Sequence, residues 1–168
     1  MAPAQLTPRP RARRDDFRAW QQVTLRWADD DAYGHVNNTV YYQWFDTAVN
    51  AWLIAQGLLD VAAGDPIALV VETRCTFHSP LSFPGEIAVG LRVEAIGRSS
   101  VRYAIGVFAF GEQEAAAEGE FVHVAVGRAD RRPITWPGNW RVAFHKLLPP
   151  LSGGGGGEAD GGVLRRGA

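Results

Sequence analysis

A chain of 168 residues with 46% hydrophobic and 21% charged residues is long enough for one domain with a real core, which excludes a disordered polypeptide. Seventeen Lys plus Arg against 18 Asp plus Glu leave a formal net charge of -1, too even a balance for a dedicated nucleic-acid binder. No apolar run approaches the ~18 residues of a membrane span, and the lone Cys75 can form neither an internal disulfide nor a cysteine-based zinc site, which fits a reducing, cytoplasmic setting.

In chain order, Met1–Arg14 mixes Pro, Arg and Ala without a period, and MAPAQLTPRPRARRDDF lacks the apolar stretch of a secretory signal. Residues 1–16 are therefore expected to be a disordered arm. Its Arg9, Arg11, Arg13 and Arg14 read as solvated charges or as contacts for an acidic partner. Val23 and Leu25 then alternate with Thr24 and Arg26, a strand signal. Beyond an acidic stretch, Asn38 is expected to cap a helix. Tyr41, Phe45, Ala48, Trp52 and Ala55 step along one helical face, and Val40, Trp44, Ala51 and Leu53 widen it into the pattern of a buried helix. That helix is roughly 27 Å long, with Gly57 as a left-handed stop.

Four further strands follow, around Leu69–Phe77, Ile87–Val93, Val101–Val107 and Val122–Val126, separated by breaks such as Gly97–Ser100 and Gly111–Gln113. Short connections favour antiparallel pairing, so one long helix against a curved antiparallel sheet, an α+β arrangement, is predicted over residues 17–148. Residues 149–168 are Gly-rich and read as a flexible tail. No internal repeat is present.

The chemically dense stretch is Arg26-Trp27-Ala28-Asp29-Asp30-Asp31-Ala32-Tyr33-Gly34-His35-Val36-Asn37-Asn38. It leads into a helix amino terminus, where unpaired N–H groups and the positive dipole end suit a developing negative charge. The bland alternative is an acidic run that only caps the helix. A calcium loop fails, because its twelfth position would be Val40 rather than a bidentate Glu. The four histidines, His35, His78, His123 and His145, show no short zinc-ligand spacing, and no G-x-S-x-G nucleophile elbow exists.

The string RWADDDAYGHVNNTVYYQWF resembles the signature of hotdog-fold acyl-CoA thioesterases of the 4-hydroxybenzoyl-CoA thioesterase type, D-x-D-x-x-G before a long aromatic helix, over roughly residues 21–128. The resemblance implies a hotdog fold and hydrolysis of an acyl-CoA to a free acid and coenzyme A, without cofactor or metal. It makes Asp31 the catalytic acid, as nucleophile or general base, and the backbone N–H of Asn38 the group that polarises the thioester oxygen. Gly34 would let the loop approach substrate or take a positive φ. Some relatives carry His where this chain has Asn38 and Tyr where it has Trp27, so His35 and Asn37 become the substitutes, for binding or for ordering the loop.

The resemblance also points to Arg98, Ser99 and Ser100, between two strands, as contacts for the coenzyme A phosphates; otherwise they form an ordinary polar turn. Arg128–Pro133 reads as a solvated strand end, the helix aromatics Tyr41, Trp44, Phe45 and Trp52 as core or, for one of them, as lining of the acyl pocket, and His78 as structural. Exposed sheet edges and the family's habit of building its site across a dimer lead to an expected homodimer or homotetramer, with acyl-CoA as partner and neither membrane nor nucleic acid. Two other readings stand: a hotdog dehydratase or hydratase, whose motif Phe83-Pro84-Gly85 recovers only superficially and on the wrong side of the helix, and a non-catalytic acyl-CoA-binding subunit.

Overall fold

The computed structural model describes residues 10–149. Five strands, β1 (Ala19–Thr24), β2 (Ile67–Phe77), β3 (Glu86–Ile96), β4 (Ser100–Ala109) and β5 (Ala117–Val126), form one sheet in the order β1-β3-β4-β5-β2, with every pairing antiparallel. Helix α1 (Asn38–Ala55) lies against one face, and a shorter α2 (Gly138–His145) follows β5. This is the α+β hotdog arrangement, a long helix held in a curved antiparallel sheet. Among the described residues no helix is long and apolar enough to cross a membrane.

The period-two patterns become strands because one of their faces meets α1. Val89, Leu91 and Val93 of β3, Tyr103 and Ile105 of β4 and Phe121 of β5 are buried beneath Tyr41, Phe45, Val49 and Leu53 of the helix. Full burial of one such side chain stabilises the fold by about 1.5–3 kcal/mol. The helix is buried along Val40, Tyr41, Trp44, Phe45, Ala48, Val49 and Leu53, while Ala55 is exposed. Gly57, at φ +68°, ends it as expected.

Four features differ from the sequence expectations. The helix cap is Asn37, not Asn38: the Asn37 side-chain oxygen accepts the Thr39 N–H at 3.0 Å, which makes Asn38 the first helical residue. Strands β2 and β3 are consecutive but not neighbours, so β2 is an edge strand on the far side of β5. Helix α2 was not legible as an element. It packs Trp140 and Phe144 on Trp136, with the two indole rings stacked at 5.0 Å, and Phe144 also meets Tyr103.

The fourth difference is the arm. Arg14–Asp16 form a 3₁₀ turn, Arg13 bridges to Glu114, and Phe17 is buried. A side chain on Gly90 or Gly106 would collide with the Phe17 ring, so these two glycines, paired across β3 and β4, form its seat. Local composition cannot show an anchor supplied by residues so distant in sequence. The remaining parts of the expected arm and tail, residues 1–9 and 150–168, lie outside the described residues.

Candidate active site

The loop between β1 and α1 folds around two carboxylates with opposite fates. Asp29, 1% exposed, accepts the Arg26 backbone N–H at 2.7 Å and two guanidinium N–H groups at 3.0 and 2.7 Å. Burial pushes its carboxyl up, but the Arg26 hydrogen bonds and positive charge outweigh that and hold it below the usual carboxylate range. The Asp29 carbonyl also accepts the Asn37 N–H at 2.8 Å, which ties this anchor directly to the helix cap. Asp30 accepts the Phe83 N–H on both oxygens at 3.2 Å and so fastens the loop to the β2–β3 connection.

Asp31 opens a tight turn. Its N–H donates to the His35 carbonyl at 2.8 Å, its carbonyl accepts the Gly34 N–H at 3.1 Å, and its Oδ1 accepts the Tyr33 N–H at 2.7 Å. Gly34 takes φ +78°, which a side chain would strain. Among the described residues nothing hydrogen-bonds Asp31 Oδ2 or the backbone N–H of Asn38. Both residues border one cleft of about 370 Å³ at the amino end of α1, together with His35, Tyr41, Phe77 and Pro80. The Asp31 side chain and the amino end of α1 thus border one opening.

Of the sequence candidates, Asp31, Asn38 and His35 meet at this cleft, and Gly34 shapes the turn beneath it. Asn37 spends its side chain on the cap, with Thr39 donating through both N and Oγ1. Arg98, Ser99 and Ser100 do not join them within one protomer. Phe77, at the cleft, pairs with Ala117, whereas Ser100 pairs with Val124. The seven-residue interval along β5 is roughly 23 Å at about 3.3 Å per residue. That turn is also part of the fold's own hydrogen bonding, since its carbonyls accept from Trp136 and Ala125.

His78, read from the sequence as structural, also lines the cleft with Ser79, and Tyr41 is the helix aromatic that reaches it. Burial, reinforced by nearby Cys75, pushes the Tyr41 phenol up to about 12, so it is a neutral hydroxyl at ordinary pH. Burial likewise pushes the Cys75 thiol up to about 12 and leaves it protonated, which disqualifies it as a nucleophile. Phe83-Pro84-Gly85 lies in the β2–β3 connection, after the helix, as the sequence reading placed it. Among the described residues no group of three or more His, Cys, Asp and Glu side chains is placed to hold a metal ion.

A family model described as the Thioesterase-like superfamily matches residues 25–144, from just after β1 into α2. The chain belongs to this superfamily. Among solved structures it is similar to the PA5185 protein of Pseudomonas aeruginosa strain PAO1, with 46% identity and a TM-score of 0.80 over 83% of this chain and 98% of that one. A 1,4-dihydroxy-2-naphthoyl-CoA thioesterase from Synechocystis shares the fold at 19% identity, with a TM-score of 0.69 over 76% of this chain and 96% of that one. No curated protein matches the chain in sequence. Membership makes this thioesterase-like chain a hydrolase of acyl thioesters in general terms. It leaves the thiol carrier, the acyl group and the reacting residue to be argued from the cleft.

Proposed function

We propose that this protein hydrolyses an acyl-CoA thioester to a free acid and coenzyme A, with Asp31 as the reacting carboxylate. The observation that carries the reading is that Asp31 and Asn38, whose Oδ2 and backbone N–H have no hydrogen-bond partner among the described residues, line one cleft. The thioester oxygen accepts from Asn38 as negative charge develops on it. Asp31 then attacks the carbonyl carbon and expels the thiolate, leaving a mixed anhydride that water hydrolyses. Alternatively it takes a proton from water, which attacks in its place. In both routes the departing thiolate gains a proton and the acid leaves as carboxylate.

The second part of the proposal is a two-fold dimer along β2. This eleven-residue edge strand exposes Leu69, Val70, Val71 and Phe77, and long apolar edges are seldom left bare. Antiparallel pairing of two β2 strands carries the Arg98–Ser100 turn of one copy towards the Asp31 end of the other. There the phosphate role assigned to that turn becomes geometrically accessible. The cytoplasm is the proposed setting, supported by the free Cys75.

The test is a panel of alkyl and aryl acyl-CoAs with free-thiol detection, alongside light scattering at micromolar protein. Turnover of at least one class and a dimeric or tetrameric mass are expected. Absence of thiol release across the panel would overturn the hydrolase reading, and a fully active monomer would overturn the dimer.

A further inference from the structure

The basic arm is not a free tail where it meets the sheet; it is a strap with a fixed course. Phe17 sits on Gly90 and Gly106, edge-on to Trp20 and Phe108 at 5.9 and 5.6 Å. The Arg14 guanidinium lies over the Trp20 and Phe108 rings, and its Nε donates to the Glu112 carbonyl at 2.8 Å. The Arg14 N–H donates to Gln113, the Ala115 N–H to Ala12, and the Ala12 N–H to Glu118 Oε1 at 3.0 Å. That same Glu118 oxygen meets His78 Nε2 at 3.0 Å, so the strap is clasped to the start of the β2–β3 connection.

The course ends beside the cleft. Arg11 donates to the His78 carbonyl at 3.3 Å, and His78, Ser79 and Pro80 wall the opening that holds Asp31. A second depression, of about 520 Å³, is lined by Arg11, Arg13 and Glu114 among others. The two openings share Ser79 and Pro80 as a common ridge. In the depression Arg13 pairs with Glu114 at 3.6 Å, while among the described residues no carboxylate pairs with Arg11. Among the described residues no Lys or Arg lines the Asp31 cleft itself.

A coenzyme A thioester carries its charge far from its reacting carbon, because the pantetheine arm separates the thioester from the nucleotide phosphates. Its acyl end needs a cleft with a carboxylate and a free N–H. Its other end needs a cation outside that cleft. We infer that the strap supplies such a cation, for a phosphate other than the one given above to the Arg98–Ser100 turn of the second copy: the pantetheine arm crosses the Ser79–Pro80 ridge and Arg11 binds that further phosphate in the adjoining depression. This rests on the acyl-CoA reading above and adds to it a substrate-binding residue outside the region matched by the family model, which begins at residue 25. The guanidinium fork suits phosphate oxygens, and the strap's anchors pre-order a long side chain that would otherwise lose its freedom on binding.

The experiment compares wild type, Arg11→Ala, Arg11→Glu and Arg11→Lys on one acyl-CoA and on the same acyl group as an N-acetylcysteamine thioester, which lacks the nucleotide. Arg11 is exposed and its backbone lies in the strap, so the fold is retained. Arg11→Ala is expected to raise KM for the acyl-CoA on the order of tenfold, the lower range for a hydrogen bond to a charged group, with kcat unchanged. Arg11→Glu should raise it further, Arg11→Lys should recover much of the loss, and the short thioester should respond to none of them. Unchanged KM for the acyl-CoA, or equal changes on both substrates, would overturn the phosphate role while leaving hydrolysis intact. Wild type that cleaves neither thioester would instead bring down the hydrolase reading, and the inference with it.

Discussion

Asp29 and Asp31 are the same residue type two positions apart, and the fold uses them in opposite ways. At the Arg26–Asp29 end of the loop every carboxylate oxygen is occupied, the side chain is buried, and the carbonyl holds the helix cap. At the Asp31–His35 end the carboxylate is partly exposed, keeps one oxygen unpaired among the described residues, and borders a cleft. A buried, fully paired acid stabilises; an open one at a helix amino terminus is available to react. Partners rather than spacing separate scaffold from chemistry.

The comparison is most easily broken at the end proposed to react. Asp31→Asn keeps the shape and the Tyr33 contact but removes the charge that a nucleophile or base requires. Its kcat on an acyl-CoA should fall by at least about 10²–10⁴-fold, with the thermal unfolding midpoint nearly unmoved. Retained turnover would remove Asp31 from the reaction.

The anchoring end should fail in stability. Asp29→Ala takes the acceptor from the Arg26 N–H and side chain, at a cost of about 1–3 kcal/mol in urea unfolding. An Asp29→Ala protein as stable as wild type would mean that the buried pair contributes nothing to the fold. Because the Asp29 carboxyl is held below its ordinary value, its contribution is complete above the unfolded-state pKa near 4. It is lost as pH falls through the lower folded value, so the variant should show a shallower loss of stability in that acid range.

A second acid-linked effect sharpens the contrast by arising far from the loop. His123 is buried between Tyr103 and Phe121, its Nδ1 has no partner among the described residues, and burial pushes its pKa down to about 4. The unfolded chain binds a proton near pH 6.5 that the folded chain refuses until about pH 4. Stability should therefore be full above about pH 6.5 and decline as pH falls towards 4, by no more than about 3 kcal/mol. His123→Phe should flatten that decline in urea titrations at several pH values; an unchanged slope would assign it elsewhere. The smallest effect is expected at the cap, where Asn37→Ala should cost about 1 kcal/mol, read as a lower urea midpoint.

What the sequence made legible was whatever burial writes as a period. The alternation of Val89, Leu91 and Val93 gave a strand, and the three-four spacing of Tyr41, Phe45 and Ala48 gave the helix, because each set packs against the other. The motif also pointed to the Asp31–Asn38 stretch, which borders the cleft proposed as the active site. Long-range geometry was not. The seat for Phe17 is built by glycines more than seventy residues away, and no local pattern announces it. The distance of Arg98 from Asp31 follows from strand register, and α2 is too short for a strong period. The cap moved by one residue because both positions are Asn, and only side-chain direction distinguishes them.

The division of labour within the acidic loop is tested most directly by measuring Asp31→Asn and Asp29→Asn side by side, with kcat from free-thiol release on one acyl-CoA and stability from urea unfolding of the same preparations. A crossed result is expected: Asp31→Asn loses at least about 10²-fold in kcat and keeps its stability, while Asp29→Asn loses stability and keeps most of its turnover when folded. If Asp29→Asn abolishes turnover and Asp31→Asn leaves it near wild type, the reacting carboxylate is the buried one and the account is wrong.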